Sequence, residues 1–222
     1  MAEDDLARAV RGMARTLAHR GPDQEGVWTD GTAAPGLGFR RLAILDLSPS
    51  GHQPMRSADG RWIGVFNGEV YNYLDLKAEL TRLGHGFRGT SDTEVLLAGI
   101  TEWGVAGPLA RANAMLALAV WDRQERRLVL ARDRLGKKPL YYGMVGGALV
   151  FGSELKALAA WPGFAREIDR DALGAYLQYG WVPGPRTIWR GIAKLPAASF
   201  VTVTATGIGE PVAYWSAREV AL

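Results

Sequence analysis

Phe66-Asn67-Gly68-Glu69-Val70-Tyr71-Asn72-Tyr73 is a stretch whose residue types and order can do chemistry. A side-chain amide beside a glycine N–H can converge on one developing negative oxygen, and glycine lets a substrate come close to the backbone. Asn67-Gly68 is equally a good turn, because both residues accept positive φ, and by spacing alone the turn is the simpler reading. Arg40-Arg41 opens an otherwise apolar run. An arginine there is either a solvent-facing edge residue or a fork that grips a ligand carboxylate in two parallel hydrogen bonds. Asp92 is either a helix cap or first-turn acid, or a buried acid that receives an ammonium group. Arg41 for carboxylate and Asp92 for ammonium would make a site for an α-amino acid. Spacing does not show that the two residues meet. His19-Arg20-Gly21-Pro22-Asp23 reads as a helix stop with an Asp-assisted turn.

Other apparatus is missing. There is no Gly-x-Ser-x-Gly elbow, no Walker loop and no Gly-x-Gly-x-x-Gly. The chain contains no cysteine, which removes disulfides, thiolate zinc sites and a cysteine nucleophile from these residues. Three histidines, His19, His52 and His85, are too widely spaced for a local metal motif. The 222 residues are 48% hydrophobic and 22% charged, enough to bury a core without staples. The net charge of +3 invites a nucleic-acid reading. Arginines interleaved with acids, and a densest run limited to Arg132–Lys138, argue for solvated surface charge and against a nucleic-acid partner. No apolar run reaches the ~20 residues that span a bilayer, and the acidic start lacks a signal peptide's basic region. The expectation is a soluble, cytoplasmic protein with no membrane partner.

The elements that must position these residues follow from periodicity. Leu6, Val10, Met13 and Leu17 predict an amphipathic helix over 6–18, with Asp4 or Asp5 as its cap. Strands and turns fill 23–70, with a β-prone run at 37–45 and a strong strand at 61–67. Two helices follow, one ending at Gly84 and one running from Ser91 or Asp92 to Gly104. Strands are expected at 115–121, 128–132, 140–144, 149–152 and 200–204, and short helices at 154–160 and 171–178. Strands and helices do not alternate, so an α+β fold with antiparallel sheets and packed helices is expected over a doubly wound sheet.

Seven segments, in order, resemble the N-terminal glutaminase domain of glutamine-dependent asparagine synthetases, the class II (Ntn-type) glutamine amidotransferases. They are His19–Asp23, Arg40–Ser48, His52–Met55, Phe66–Tyr73, Ser91–Val95, Ala131–Tyr142 and Phe151–Leu158. The resemblance implies an Ntn-hydrolase-like αββα sandwich of two antiparallel sheets between helical layers. It implies that Arg41 binds the glutamine α-carboxylate and that Asn67 and Gly68 form the oxyanion hole. Glu69 and Asp92 would hold the α-amino group, with Leu42, Ala43, Ile44 and Leu45 around the substrate. It implies ammonia supply from glutamine to an ATP-using synthetase domain or subunit, with ATP and Mg belonging to that other part and no cofactor here.

The sequence departs from the family in ways that bear on function. The family's N-terminal cysteine strand has no counterpart, and Ala2 cannot attack an amide. Ala114 stands where the family usually has glycine, and the pyrophosphatase loop Ser-Gly-Gly-x-Asp-Ser is absent. The expectations are a glutaminase domain over 1–205, shortened at its N-terminus, and the start of a linker over 206–222. The chain alone is expected to be inactive. An exposed pairing edge left by the missing strand predicts low stability or a homo-oligomer. The competing expectation is a non-catalytic glutamine-binding or scaffold subunit for a separate synthetase.

Overall fold

The computed structural model describes residues 2–31 and 35–221. Its first element, α1 (Glu3–Arg15), starts three residues earlier than the periodicity predicts. Asp4 and Asp5 therefore lie in its first turn, where their charge favours the helix dipole, and Ala2 at the cap makes no side-chain bond. The hairpin β1 (Gln24–Trp28) and β2 (Leu37–Arg41) follows, paired from Gln24 opposite Arg41 to Trp28 opposite Leu37. The β-prone run over 37–45 is a strand only as far as Arg41. Arg41 donates to the carbonyls of Asp46 and Ser48, which folds the chain back and ends the ladder. Leu42, Ile44 and Leu45 are consequently not core residues but stand partly exposed on a loop.

Next come β3 (Met55–Arg56), β4 (Trp62–Val70), α2 (Tyr73–Arg82), α3 (Asp92–Trp103) and a short helix not expected from sequence, α4 (Ala106–Arg111). Ser91, not Asp92, caps α3, its hydroxyl accepting from the N–H of Thr93 at 3.2 Å. Gly104, at φ +70°, ends that helix as expected. Then follow β5 (Ala114–Asp122), β6 (Arg127–Arg132), β7 (Tyr141–Val145), β8 (Ala148–Gly152), α5 (Leu155–Leu158) and α6 (Arg170–Tyr179). The described chain closes with β9 (Ile192–Lys194), β10 (Ser199–Thr204), β11 (Gly207–Ile208), β12 (Val212–Ala213) and α7 (Ala217–Ala221).

Seven strands form one antiparallel sheet in the order β11-β10-β6-β5-β4-β3, with β12 also on β10. β4 and β5 pair along their full nine-residue lengths, Trp62 opposite Asp122 and Val70 opposite Ala114. Alternation then decides the faces. Trp62, Phe66, Val70, Leu116, Leu118 and Val120 share one core with α2 and α3 residues such as Leu80, Leu96 and Ile100. Ile63, Val65, Ala117, Ala119 and Trp121 share a second core with Leu37, Leu140 and Leu195. That second core lies between the seven-stranded sheet and a second strand layer. A third cluster joins Ala9 of α1, Leu158 of α5 and Trp161 to Val145, Val150 and Ile192 on the outer side of that layer.

The order is thus helices, sheet, strand layer, helices, the αββα sandwich that was expected. The second layer comes in two pieces among the described residues, the β1-β2 hairpin and a three-stranded sheet ordered β8-β7-β9. The basic run is internal wiring. Asp133, 1% exposed, accepts from the N–H groups of Leu116, Leu135, Lys137 and Lys138. Arg132 donates to the carbonyls of Gly136, Lys138 and Leu195. No helix among the described residues is long and apolar enough to cross a membrane.

Candidate functional site

β3 covers only Ile63 and Gly64 of its neighbour, so β4 from residue 65 onward has an edge with no strand on it. Its even-numbered N–H groups point to that edge, since the odd-numbered Tyr71 N–H goes the other way, to Asn113. Side chains take the place of a strand there. The Gln53 carboxamide accepts from the Phe66 N–H at 2.6 Å and donates to the Phe66 carbonyl at 3.2 Å. It also donates to the Thr93 hydroxyl at 3.2 Å. Asp92 Oδ2 accepts from the Val70 N–H at 3.0 Å. Between these two, the Gly68 N–H points to the same edge and has no partner among the described residues. Glycine is required at 68 by packing, because a Cβ would collide with the carbonyl oxygen of Met115. Asn67-Gly68 is therefore strand and not turn, and its two groups are displayed as donors.

Alternation turns Asn67 and Glu69 toward the space between the strand layers, on the face of Ile63 and Val65. Asn67 Nδ2 donates to Ser153 Oγ at 3.3 Å. The Glu69 carboxylate makes no hydrogen bond or ion pair among the described residues. Asp92 is 7% exposed. Burial pushes its carboxyl up, Glu69 adds to that, and the Val70 and Thr93 N–H groups only partly offset it, so its pKa lies above the ordinary value. An ammonium group delivered to Asp92 would favour its charged form and oppose that rise.

Arg41 is 6% exposed. Its Nη1 donates to Gln24 Oε1 at 2.9 Å and to the Ser48 carbonyl at 3.2 Å, and its Nη2 donates to the Asp46 carbonyl. Three of five guanidinium hydrogens are thereby spent, two on holding the loop over 42–51 and one on Gln24 of β1. Asp46 secures the other side of that loop. Its carboxylate accepts from the Ser48 hydroxyl and N–H and, at 2.9 Å, from the Thr90 N–H, and these bonds lower its pKa to about 2.

One cavity of about 800 Å³ collects these residues. Arg41, Leu42, Ile44, Leu45, Asn67, Gly68, Glu69 and Asp92 all line it. Ala43 does not; its N–H donates to Asp23 Oδ2 at 2.8 Å and so helps shape the loop. The cavity continues past the polar end as a trench. β4 and β5 form its floor, α1 lies over it, and Gly38–Arg41 and the whole of β8 form its two walls. The residues missed at the sequence level are Gln53, Asp46 and Ser153. All three lie in motifs quoted above, and only the folded contacts give them roles.

A profile of the glutamine amidotransferase domain matches residues 1–215. The chain belongs to the glutamine amidotransferase domain family. Among its relatives, asparagine synthetase (glutamine-hydrolyzing) 3 of Bacillus subtilis is 39% identical over 199 residues. That match takes in 88% of this chain and 32% of the relative. A Mycobacterium tuberculosis protein provisionally named as a glutamine-hydrolyzing asparagine synthetase is 40% identical over 212 residues, 90% of this chain and 32% of its own length. This amidotransferase domain thus spans about a third of the length of the relatives it matches. The solved glutamine phosphoribosylpyrophosphate amidotransferase of B. subtilis, complexed with ADP and GMP, shares the fold at a TM-score of 0.66 and 21% identity, over 93% of this chain and 46% of that one.

Proposed function

We propose that this amidotransferase domain is the glutamine site of an asparagine synthetase-like enzyme, releasing ammonia for an ATP-dependent amidation carried out by a partner synthetase domain or subunit. The convergence of Arg41, Asn67, Gly68, Glu69 and Asp92 on one cavity carries this reading. The two remaining guanidinium hydrogens of Arg41 take the α-carboxylate of glutamine. Asp92 and Glu69 take its ammonium group. The side-chain carbonyl then lies toward the Gly68 N–H and the Asn67 amide, two donors suited to an oxyanion. A thiol attacking that carbonyl gives its proton to a base and makes a tetrahedral anion; the same proton passes to the amide nitrogen as it leaves as ammonia, and water hydrolyses the resulting thioester to glutamate and the thiol.

These 222 residues contain no thiol, so the nucleophile is assigned to a segment outside them. The trench supports that assignment. Its walls, β2 and β8, are strands paired on one side only among the described residues. Trp121, whose buried Nε1 has no partner among the described residues, lies on its floor. An extended segment between β2 and β8 would pair with both edges and join the two pieces of the second layer into one sheet. ATP and magnesium belong to the synthetase reaction, and no residue here is assigned to them.

The absence of a cysteine also favours a second reading, a glutamine-binding scaffold subunit that does no chemistry. Titration calorimetry of the chain with glutamine tests what both readings share. Saturable binding that needs Arg41 and discriminates against the des-amino analogue is expected. Failure to bind at millimolar glutamine would remove both.

A further inference from the structure

We infer that Gln53 is a positioning residue that fixes the span of the site, so that it takes glutamine in preference to asparagine. The inference deepens the glutamine reading and rests on it. Selection matters because the proposed partner makes asparagine, which an indifferent site would hydrolyse back. Both amino acids offer the same carboxylate and ammonium to Arg41 and Asp92. They differ in reach, since the side-chain carbonyl of asparagine stands one bond of about 1.5 Å nearer the α-carbon. A hydrogen bond lengthened by that much is lost. Reach selects between them only where the distance from Asp92 on α3 to the Gly68 N–H on β4 is held.

Two ties hold it, one on each side of Gly68. Asp92 Oδ2 accepts from the Val70 N–H at 3.0 Å. Alone, that bond would leave the first turn of α3 free to pivot about Val70. The second tie runs through Gln53. Its Oε1 accepts from the Phe66 N–H at 2.6 Å, and its Nε2 donates to the Phe66 carbonyl and to the Thr93 hydroxyl, each at 3.2 Å. A backbone N–H only donates and a carbonyl only accepts, so the carboxamide has one orientation here. Turned over, it would lose both bonds to Phe66. Gln53 and Thr93 are both buried, where such bonds are costly to break. The backbone of Gln53 is itself pressed against β1, where a Cβ on Gly26 would collide with the Gln53 carbonyl oxygen. Leu96 and Ile100 pack the body of α3 into the core, but apolar packing is not directional and leaves the place of the first turn to these hydrogen bonds.

Titration calorimetry of the chain with glutamine and with asparagine tests this. The readout is the ratio of the two dissociation constants, expected to favour glutamine about tenfold or more, the size of one methylene in a fitted pocket. Thr93→Val keeps the side-chain shape and the hold of Gln53 on Phe66 but cuts the tie to α3. It should reduce the ratio roughly threefold or more, the effect of one neutral hydrogen bond. Gln53→Met should do the same, and Thr93→Ser, which keeps the hydroxyl, should leave the ratio intact. A ratio unchanged in folded Thr93→Val and Gln53→Met, or reduced equally in Thr93→Ser, would overturn the inference and leave the glutamine reading standing. So would equal affinity for both amino acids in the unaltered chain. Binding of neither amino acid by the unaltered chain would overturn the inference together with that reading.

Discussion

Asp92 combines a structural role with the ligand role proposed for it. It sits in the first turn of a capped helix, holds the Val70 N–H and still faces the cavity with a carboxyl whose pKa is raised by burial. In the free protein burial makes the carboxyl easier to protonate than an ordinary aspartate, while a bound ammonium favours the anion. Glutamine affinity is therefore expected to be full above that raised pKa and to be lost as pH falls through it. Calorimetry from pH 4 to 8 checks this, and Asp92→Asn should remove the pH dependence and weaken binding roughly tenfold or more, the loss expected for one charge-assisted hydrogen bond. Arg41→Ala should weaken binding at least as much and also loosen the loop it holds. The candidacy of Arg41, Asn67, Gly68 and Asp92, which line one cavity, was legible from residue type and motif. Gln53, Asp46 and Ser153 were not, because the contacts that tie them to the site, to Phe66, Thr90 and Asn67, lie 13, 44 and 86 residues away.

At the scale of elements, the loop over 42–51 and the junction of α1 with α5 set the rim of the site. Asp46, lowered to about 2, contributes fully above the ordinary aspartate value and loses its contribution as pH falls from there toward 2. Asp46→Ala is expected to free the Thr90 and Ser48 N–H groups, speed their hydrogen exchange and weaken glutamine binding without melting the sheets. Glu154→Gln, which removes the ion pairs of Glu154 with His19, Arg20 and Lys156, should lower Tm by at most roughly 2–4 °C, because partly exposed ion pairs are worth about 1 kcal/mol or less. That contribution is present above the ordinary glutamate value and lost as pH falls through the lowered one. Long periodic elements such as α2, α3, β4 and β5 were readable because a core repeats along them. The run over 37–45 misled, since apolar residues that line a cavity look the same in sequence as those that fill a core. α4, β9, β11 and β12 are too short for a period to register.

For the whole molecule, the informative feature is a second strand layer split into β1-β2 and β8-β7-β9 over one continuous sheet. The αββα order was legible from the motifs, whereas the split is a property of pairing partners and appears only on folding. A single strand inserted between these two pieces, as proposed above, would bring main-chain partners to both open edges. A peptide of alternating apolar residues ending in an N-terminal cysteine is expected to bind the chain and raise its Tm, and scrambling its order should abolish the effect. We propose this cavity as a glutaminase site that lacks, among these residues, only its nucleophile. The most direct measurement is ammonia release from glutamine by the chain before and after an N-terminal, cysteine-first strand is joined to it. No release is expected before, and turnover after. That turnover should fall about 10²–10³-fold in kcat when Asn67 is changed to Ala, the size of a lost oxyanion donor. Turnover by the chain without a cysteine, or turnover after joining that ignores Asn67, would contradict it.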